Sequence, residues 1–176
     1  MTGQAISTVT RTTESALTLA LLVFKVGNQL YGLPVTSVVR IIEMVTITPL
    51  PGAPEVIEGI INFHGKAVPI IDLCRCFNLL PCSYGLHTPI ILVDMINQDH
   101  ILGLIVDMVE DILEVSVDDL ELTETIVPAE LGARMAAQAA YLVGIAKVDR
   151  RFILVLNVQA LLNPTVQAQL ARALGM

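Results

Sequence analysis

Cys74, Cys76 and Cys82 form C-x-C-x5-C, and His87 follows five residues later. Residues i and i+2 of a strand point to the same side, so two thiolates placed this way could share a soft metal. The spacing departs from C-x2-C, and a fourth ligand would have to be the loop histidine. Buried or half-buried free thiols are the preferred reading, and an odd cysteine count suits a reducing compartment better than a disulfide framework. His64 is the other residue that could act, as a general base beside Asp72 or a cysteine. It falls in an expected hairpin turn, and the chain has no nucleophile elbow, phosphate-binding glycine loop or H-E-x-x-H. His64, His87 and His100 are therefore read as surface histidines. No catalytic residue, metal or cofactor is expected.

The elements that would carry these residues are strands. Gly59 to Phe77 (GIINFHGKAVPIIDLCRCF) reads as a β-hairpin turning at His64-Gly65-Lys66. Pro69 has no N–H to give a ladder, which places its strand at an edge there. The stretch recurs without a gap as Gly144 to Leu162 (GIAKVDRRFILVLNVQALL). Asp149-Arg150-Arg151 then meets the turn, and Asn157 meets Asp72. A second pair precedes each copy, with Gly32 to Val38 meeting Gly103 to Val109. Patterns that recur in the same order point to two copies of one β unit, over about 19–83 and 84–164.

The 176 residues are 54% hydrophobic and 15% charged, enough for one domain with an ample aliphatic core. No apolar run approaches the ~20 residues of a membrane helix, so no membrane insertion is expected and the location reads as cytoplasmic. The net charge of −7 is concentrated in Asp107, Glu110, Asp111, Glu114, Asp118, Asp119, Glu121 and Glu124. That is no nucleic-acid footprint, and it lacks Ca²⁺-loop spacing. It reads as a solvated acidic face.

In chain order, residues 1 to about 18 form a tail. Leu19 to Val26 and Gln29 to Leu33 pair around Gly27-Asn28. Pro34 opens a short helix with Val35, Val38, Val39 and Ile42 on one stripe, or a strand. Thr46 to Pro54 is a proline-stiffened loop, and Glu55 to Glu58 makes a helical turn. Pro89 to Met95 pairs with His100 to Val109, and Ile112 to Val117 is a further strand. Glu124 to Ala140 connects onward. Gln159 to Leu162 starts a turn of helix, and Thr165 to Leu174 is a terminal helix within 165–176. So many short strands suggest an all-β fold of two small packed barrels.

Several segments resemble the chemotaxis coupling protein (CheW) family over roughly residues 19–164: LVFKVGNQLYGLPV, ITPLPGAPEVIEGIINFHGKAVPIIDL, ILGLIVDMVEDILEV and YLVGIAKVDRRFILVL. Asn62, Gly65, Pro69 and Asp72 stand at the family's spacing. The resemblance implies a mostly β fold of two five-stranded, SH3-like barrels with short helices and a C-terminal helix. It implies a non-catalytic adaptor that joins the cytoplasmic hairpin tip of methyl-accepting chemoreceptors to the regulatory domain of a CheA-type histidine kinase, in rings beneath receptor arrays. A module that blocks this coupling is the alternative on the same fold. A small-ligand or metal barrel using the cysteines, and a hydrolase using His64, are the alternatives from other classes.

A receptor hairpin needs an apolar groove with a polar rim. Leu33, Val35, Val38, Ile42, Ile105, Val106 and Val109 are the candidates, about half of them expected to be ordinary core. Kinase contact is expected near Arg40, Thr48, Leu50, Pro51, Asn62, His64, Gly65 and Lys66. Many relatives carry Glu where this chain has Arg40, and Arg in an N-x-R-G turn where it has His64. The attraction between those two cannot form here, so partner choice is expected to differ.

Overall fold

In β1 (Thr18–Val26) successive apolar residues face opposite sides of a strand, and both sides are buried. The strand turns through Gly27, at φ 61°, into β2 (Gln29–Pro34). The structure is a computed structural model that describes residues 17–79, 83–95, 100–122 and 139–175. After one 3₁₀ turn (Val35–Ser37) the chain forms β3 (Val38–Glu43). Next come the hairpin β4 (Ile57–Phe63) and β5 (Lys66–Asp72), the single turn α1 (Leu73–Cys76), and the hairpin β6 (Pro89–Met95) and β7 (His100–Ile105). β8 (Met108–Ser116) leads through a 3₁₀ turn, Val117–Asp119, to β9 (Leu120–Leu122). The hairpin β10 (Leu142–Val148) and β11 (Arg151–Leu156), then α2 (Val158–Leu161) and α3 (Pro164–Ala173), complete the chain.

These strands make a six-stranded sheet, β8-β1-β2-β11-β10-β9, and a five-stranded sheet, β3-β6-β7-β5-β4. The additional strand beyond the expected five is the three-residue β9. Each sheet has one parallel seam, β2 with β11 and β5 with β7. Leu21, Val23, Val115, Ala146, Ile153 and Val155 fill the interior of the first sheet. Ile61, Val68, Ile70, Ile90, Leu92 and Ile105 fill that of the second. A third, larger cluster lies between the sheets and takes the alternate residues of the same strands, such as Leu22 and Phe24 from β1 and Ile91 and Val93 from β6. Burial on both faces explains why these strands read as continuous apolar runs.

The geometry repeats wherever the sequence does. Ile70 faces Gly103 across one parallel seam as Val155 faces Gly32 across the other. Pairing slips beside Gly59 in β4 and beside Gly144 in β10. A Cβ would lie 2.3 Å from the Thr48 carbonyl oxygen at the first and 2.4 Å from that of Glu121 at the second. The turn residues His64, Gly65, Asp149 and Arg150 all have positive φ, the mirror-image turn that matches strand twist. Asp72 caps α1 and Asn157 caps α2. Each copy nevertheless sends its first two strands into the sheet built by the other copy's later strands: β1 and β2 join β8–β11, and β6 and β7 join β3–β5.

Several local expectations need correction. Val35 to Ile42 is a strand after one 3₁₀ turn, because β6 supplies backbone partners for branched residues that form helices poorly. Glu55 to Glu58 is not helical. β4 begins at Ile57, whose N–H donates to the Pro54 carbonyl at 2.9 Å. β7 stops at Ile105 and β8 starts at Met108, where the chain changes sheets. Val106 N–H still bonds Pro89 of the second sheet at 3.2 Å, whereas Asp107 N–H bonds Lys25 of the first at 2.9 Å. β5 is no edge strand, although its β7 side is unpaired at Pro69. The expectations for residues 1–16 and for most of Glu124 to Ala140 lie outside the described residues.

Candidate functional site

The cluster between the sheets reaches the surface at a rim formed by Val35, Val38 and Val109. All three are half-buried and packed against it. Val35 lies in the 3₁₀ turn before β3, and Val109 is the second residue of the repeat-equivalent strand β8. Asp107 pins the neighbouring β1–β2 turn, its Oδ2 accepting from Gly27 N–H at 2.7 Å. An apolar seam bordered by carboxylates results. The other four candidates for this groove are placed differently. Leu33, Ile105 and Val106 are 0%, 2% and 1% exposed and cannot present themselves to a partner: Leu33 and Val106 support the seam from within, and Ile105 lies in the interior of the second sheet. Ile42 packs against the interior of the second sheet.

A second surface lies where β3 and β4 border the interior of the second sheet. Arg40, Ile42, Glu43, Met44, Val45, Thr46, Ile61, Asn62 and Phe63 line a depression of about 780 Å³. Beside it Val39, Ile41 and Val45 are 46%, 43% and 45% exposed, three branched apolar side chains on a surface that water would disfavour. The adjoining turn is held by Asn62, whose Oδ1 accepts from Gly65 N–H at 2.9 Å. The His64 ring meets Phe63 edge-on at 4.4 Å. Among the described residues neither Arg40 nor His64 takes part in an ion pair. Glu43 instead approaches His87 Nδ1 at 3.1 Å.

The structure therefore gathers Arg40, Asn62, His64 and Gly65 on one side of the second sheet. Thr48 is tied to the free edge of β4 by two backbone bonds with Ile60, at 2.9 and 2.8 Å. Pro51 is exposed in the turn beyond it, and Leu50 leans on the cluster between the sheets. Lys66 borders a different groove, beneath α3. Val39, Ile41 and Val45 were missed as surface candidates. The signal was available in V-V-R-I-I-E, where four of six positions are apolar but only Val38 and Ile42 pack against a core.

Behind this surface Asp72, 4% exposed, takes the Arg75 N–H at 3.3 Å and the Tyr84 hydroxyl. Burial first, and then the Asp72 carboxylate, push the Tyr84 phenol well above its usual range. Arg75 reaches Glu58 at 3.0 Å, linking α1 to β4. Cys74 is buried and disulfide-bonded, which corrects the free thiol expected there. Formation of that bond removes its thiolate as a ligand or nucleophile. Cys76 is a free thiol among the described residues, and burial pushes it up to about 11, which keeps it protonated and unreactive near neutral pH. Cys82 lies outside the described residues.

Among the described residues no helix is long and apolar enough to cross a membrane. Residues 20–165 match the CheW-like domain family. The chain is 28% identical over 159 residues to the chemotaxis protein CheW of Klebsiella aerogenes, covering 90% of each chain. It is 27% identical over 151 residues to protein FrzA of Myxococcus xanthus, covering 85% of this chain and 88% of that one. The scaffolding protein TtCheW from Thermoanaerobacter tengcongensis superposes with a TM-score of 0.72 at 30% identity, over 85% of this chain and 96% of that one.

Proposed function

Because the chain belongs to the CheW-like domain family, we propose that it is a non-catalytic adaptor of bacterial chemosensory signalling. It couples the cytoplasmic hairpin tip of methyl-accepting chemoreceptors to the regulatory domain of a CheA-type histidine kinase, at the inner face of the membrane. The observation that carries this reading is the pair of apolar surfaces on one scaffold: the seam rim of Val35, Val38 and Val109, and the exposed residues of β3 and the loop after it, Val39, Arg40, Ile41 and Val45. An adaptor needs two such surfaces, each able to exclude water from a partner's apolar residues. The seam suits a helical hairpin, whose apolar stripe would lie along the three valines. The β3 face suits a β-rich partner domain. Its Arg40 and His64 select against a partner that presents cations there.

The test is co-sedimentation of the purified protein with receptor signalling fragments and kinase, reading kinase autophosphorylation in the same tubes. Kinase entering the receptor pellet only in the presence of this protein, with altered activity, is the expected result. Kinase bound but excluded from receptors would make the protein a competitor, and binding to neither would overturn the adaptor reading.

A further inference from the structure

The two parallel seams are repeat-equivalent, but their three residue pairs are displaced by two positions from one another. Between β2 and β11 pairing begins at Leu30 and Ile153. Gln29 reaches across the end of that seam, its Nε2 donating to the Phe152 carbonyl at 3.4 Å. The counterparts in the second sheet are Ile101 and Val68, with His100 in place of Gln29. They do not pair, and the β5–β7 seam begins only at Ile70 and Gly103.

Pro69 supplies the reason. Both polar backbone groups of Ile60 are engaged with Thr48, on the side of β4 away from β5. Ile60 and Pro69 are therefore a non-hydrogen-bonded pair, and the backbone of Pro69 faces β7. It has a carbonyl there but no N–H, so the ladder cannot continue past it. The N–H of Ala67, two residues back, faces the same opening.

That opening is a groove of about 860 Å³, roofed by α3. Lys66, Ala67, Val68 and Pro69 all border it, and four consecutive strand residues can do so only if the backbone edge itself forms a wall. Its deeper wall is apolar, from Ile101, Leu162, Leu170 and Leu174. Among the described residues no acidic residue lines it, whereas Lys66 and His100 do. Arg151, the counterpart of Lys66, is held by Glu110 at 3.4 Å, but among the described residues Lys66 and His100 take part in no ion pair. A volume within the ~300–1,000 Å³ of small-ligand pockets, an apolar wall, and a lysine and a histidine beside a backbone donor make a defined combination.

We propose that the groove between α3 and the open β5–β7 seam binds a small amphipathic carboxylate, of the medium-chain fatty acid class. The carboxylate lies against Lys66, His100 and the Ala67 N–H, and the tail runs under α3 along Leu162, Leu170 and Leu174. This site is separate from both docking surfaces of the adaptor.

The test is calorimetric titration of the full chain with dodecanoate below its micelle concentration, beside dodecyltrimethylammonium, which has the same tail and the opposite charge. Saturable binding of one dodecanoate per chain is expected, with the cation at least tenfold weaker. Lys66→Glu combined with His100→Glu should weaken dodecanoate at least tenfold. Ala168→Trp, an exposed α3 position bordering the groove, should abolish binding without unfolding the protein. Absence of saturable binding, equal binding of the two surfactants, or binding that survives Ala168→Trp would each overturn the proposal.

Discussion

Replacing Asp72 by Ala should lower stability by about 2–4 kcal/mol. The carboxylate performs two tasks while 4% exposed: it caps α1 through the Arg75 N–H and it accepts the Tyr84 hydroxyl. Loss of an N-cap costs about 0.5–2 kcal/mol, and loss of a hydrogen bond to a charged group about 1.5–3 kcal/mol. The sum stays below the extremes because Tyr84 is 38% exposed and its freed hydroxyl regains water. Asp72→Asn should cost less than half as much. Its side-chain oxygen can still cap, as Asn157 does for α2 by accepting the Gln159 N–H at 3.2 Å. Urea unfolding followed by circular dichroism, with Tyr84→Phe closing a double-mutant cycle, separates the two tasks. An Asp72→Ala cost below about 1 kcal/mol, or an Asp72→Asn cost equal to it, would refute the reasoning, the second result by showing that the cap contributes nothing.

Arg150 adopts φ 65° where the first copy has Gly65, so Arg150→Gly should raise stability by up to about 1 kcal/mol and Gly65→Ala should lower it, both read from denaturation midpoints. A Cβ at Gly144 would meet the Glu121 carbonyl oxygen at 2.4 Å, so Gly144→Ala should cost about 1–3 kcal/mol in the same assay. Burial, and to a lesser degree Cys76, push Tyr31 up to about 12, and burial pushes Cys76 up to about 11, from unfolded values of 10.0 and 9.0. Folded values above unfolded ones mean that this stability is complete below pH 9 and is lost as pH rises through 11 and 12. Thermal melts should therefore fall steadily above pH 9, and Cys76→Val should flatten the first part of that decline. Arg40→Glu with His64→Arg should change which kinase wins a competition pull-down while leaving the melting temperature in place, since exposed pairs contribute about 0–1 kcal/mol.

Most of what is local in this fold was legible in the residues. Gly27, the His64-Gly65 turn and the terminal helix each depend on a few neighbours whose backbone preferences suffice. The recurrence of one pattern in two stretches was legible too, because equivalent glycines and turn residues stand at matched spacing. The family, most of all through the segment Ile47 to Leu73 with its proline-rich loop, could also be recognised there. Sheet membership could not. The hairpin Thr18 to Pro34 has no local reason to prefer β8 and β11 over the strands that follow it, and only the burial of Leu22, Phe24 and their partners between two sheets decides the exchange. The same holds for the candidate surface. Leu33, Val35, Ile42 and Val106 are alike as apolar residues, but burial separates a rim valine from a core leucine, and a bulge sends Ile42 to the other side. Pro69 shows both levels together. Its missing N–H is a property of the residue, but the opening it leaves beneath α3 exists only because Ile60 is engaged elsewhere and β7 arrives alongside.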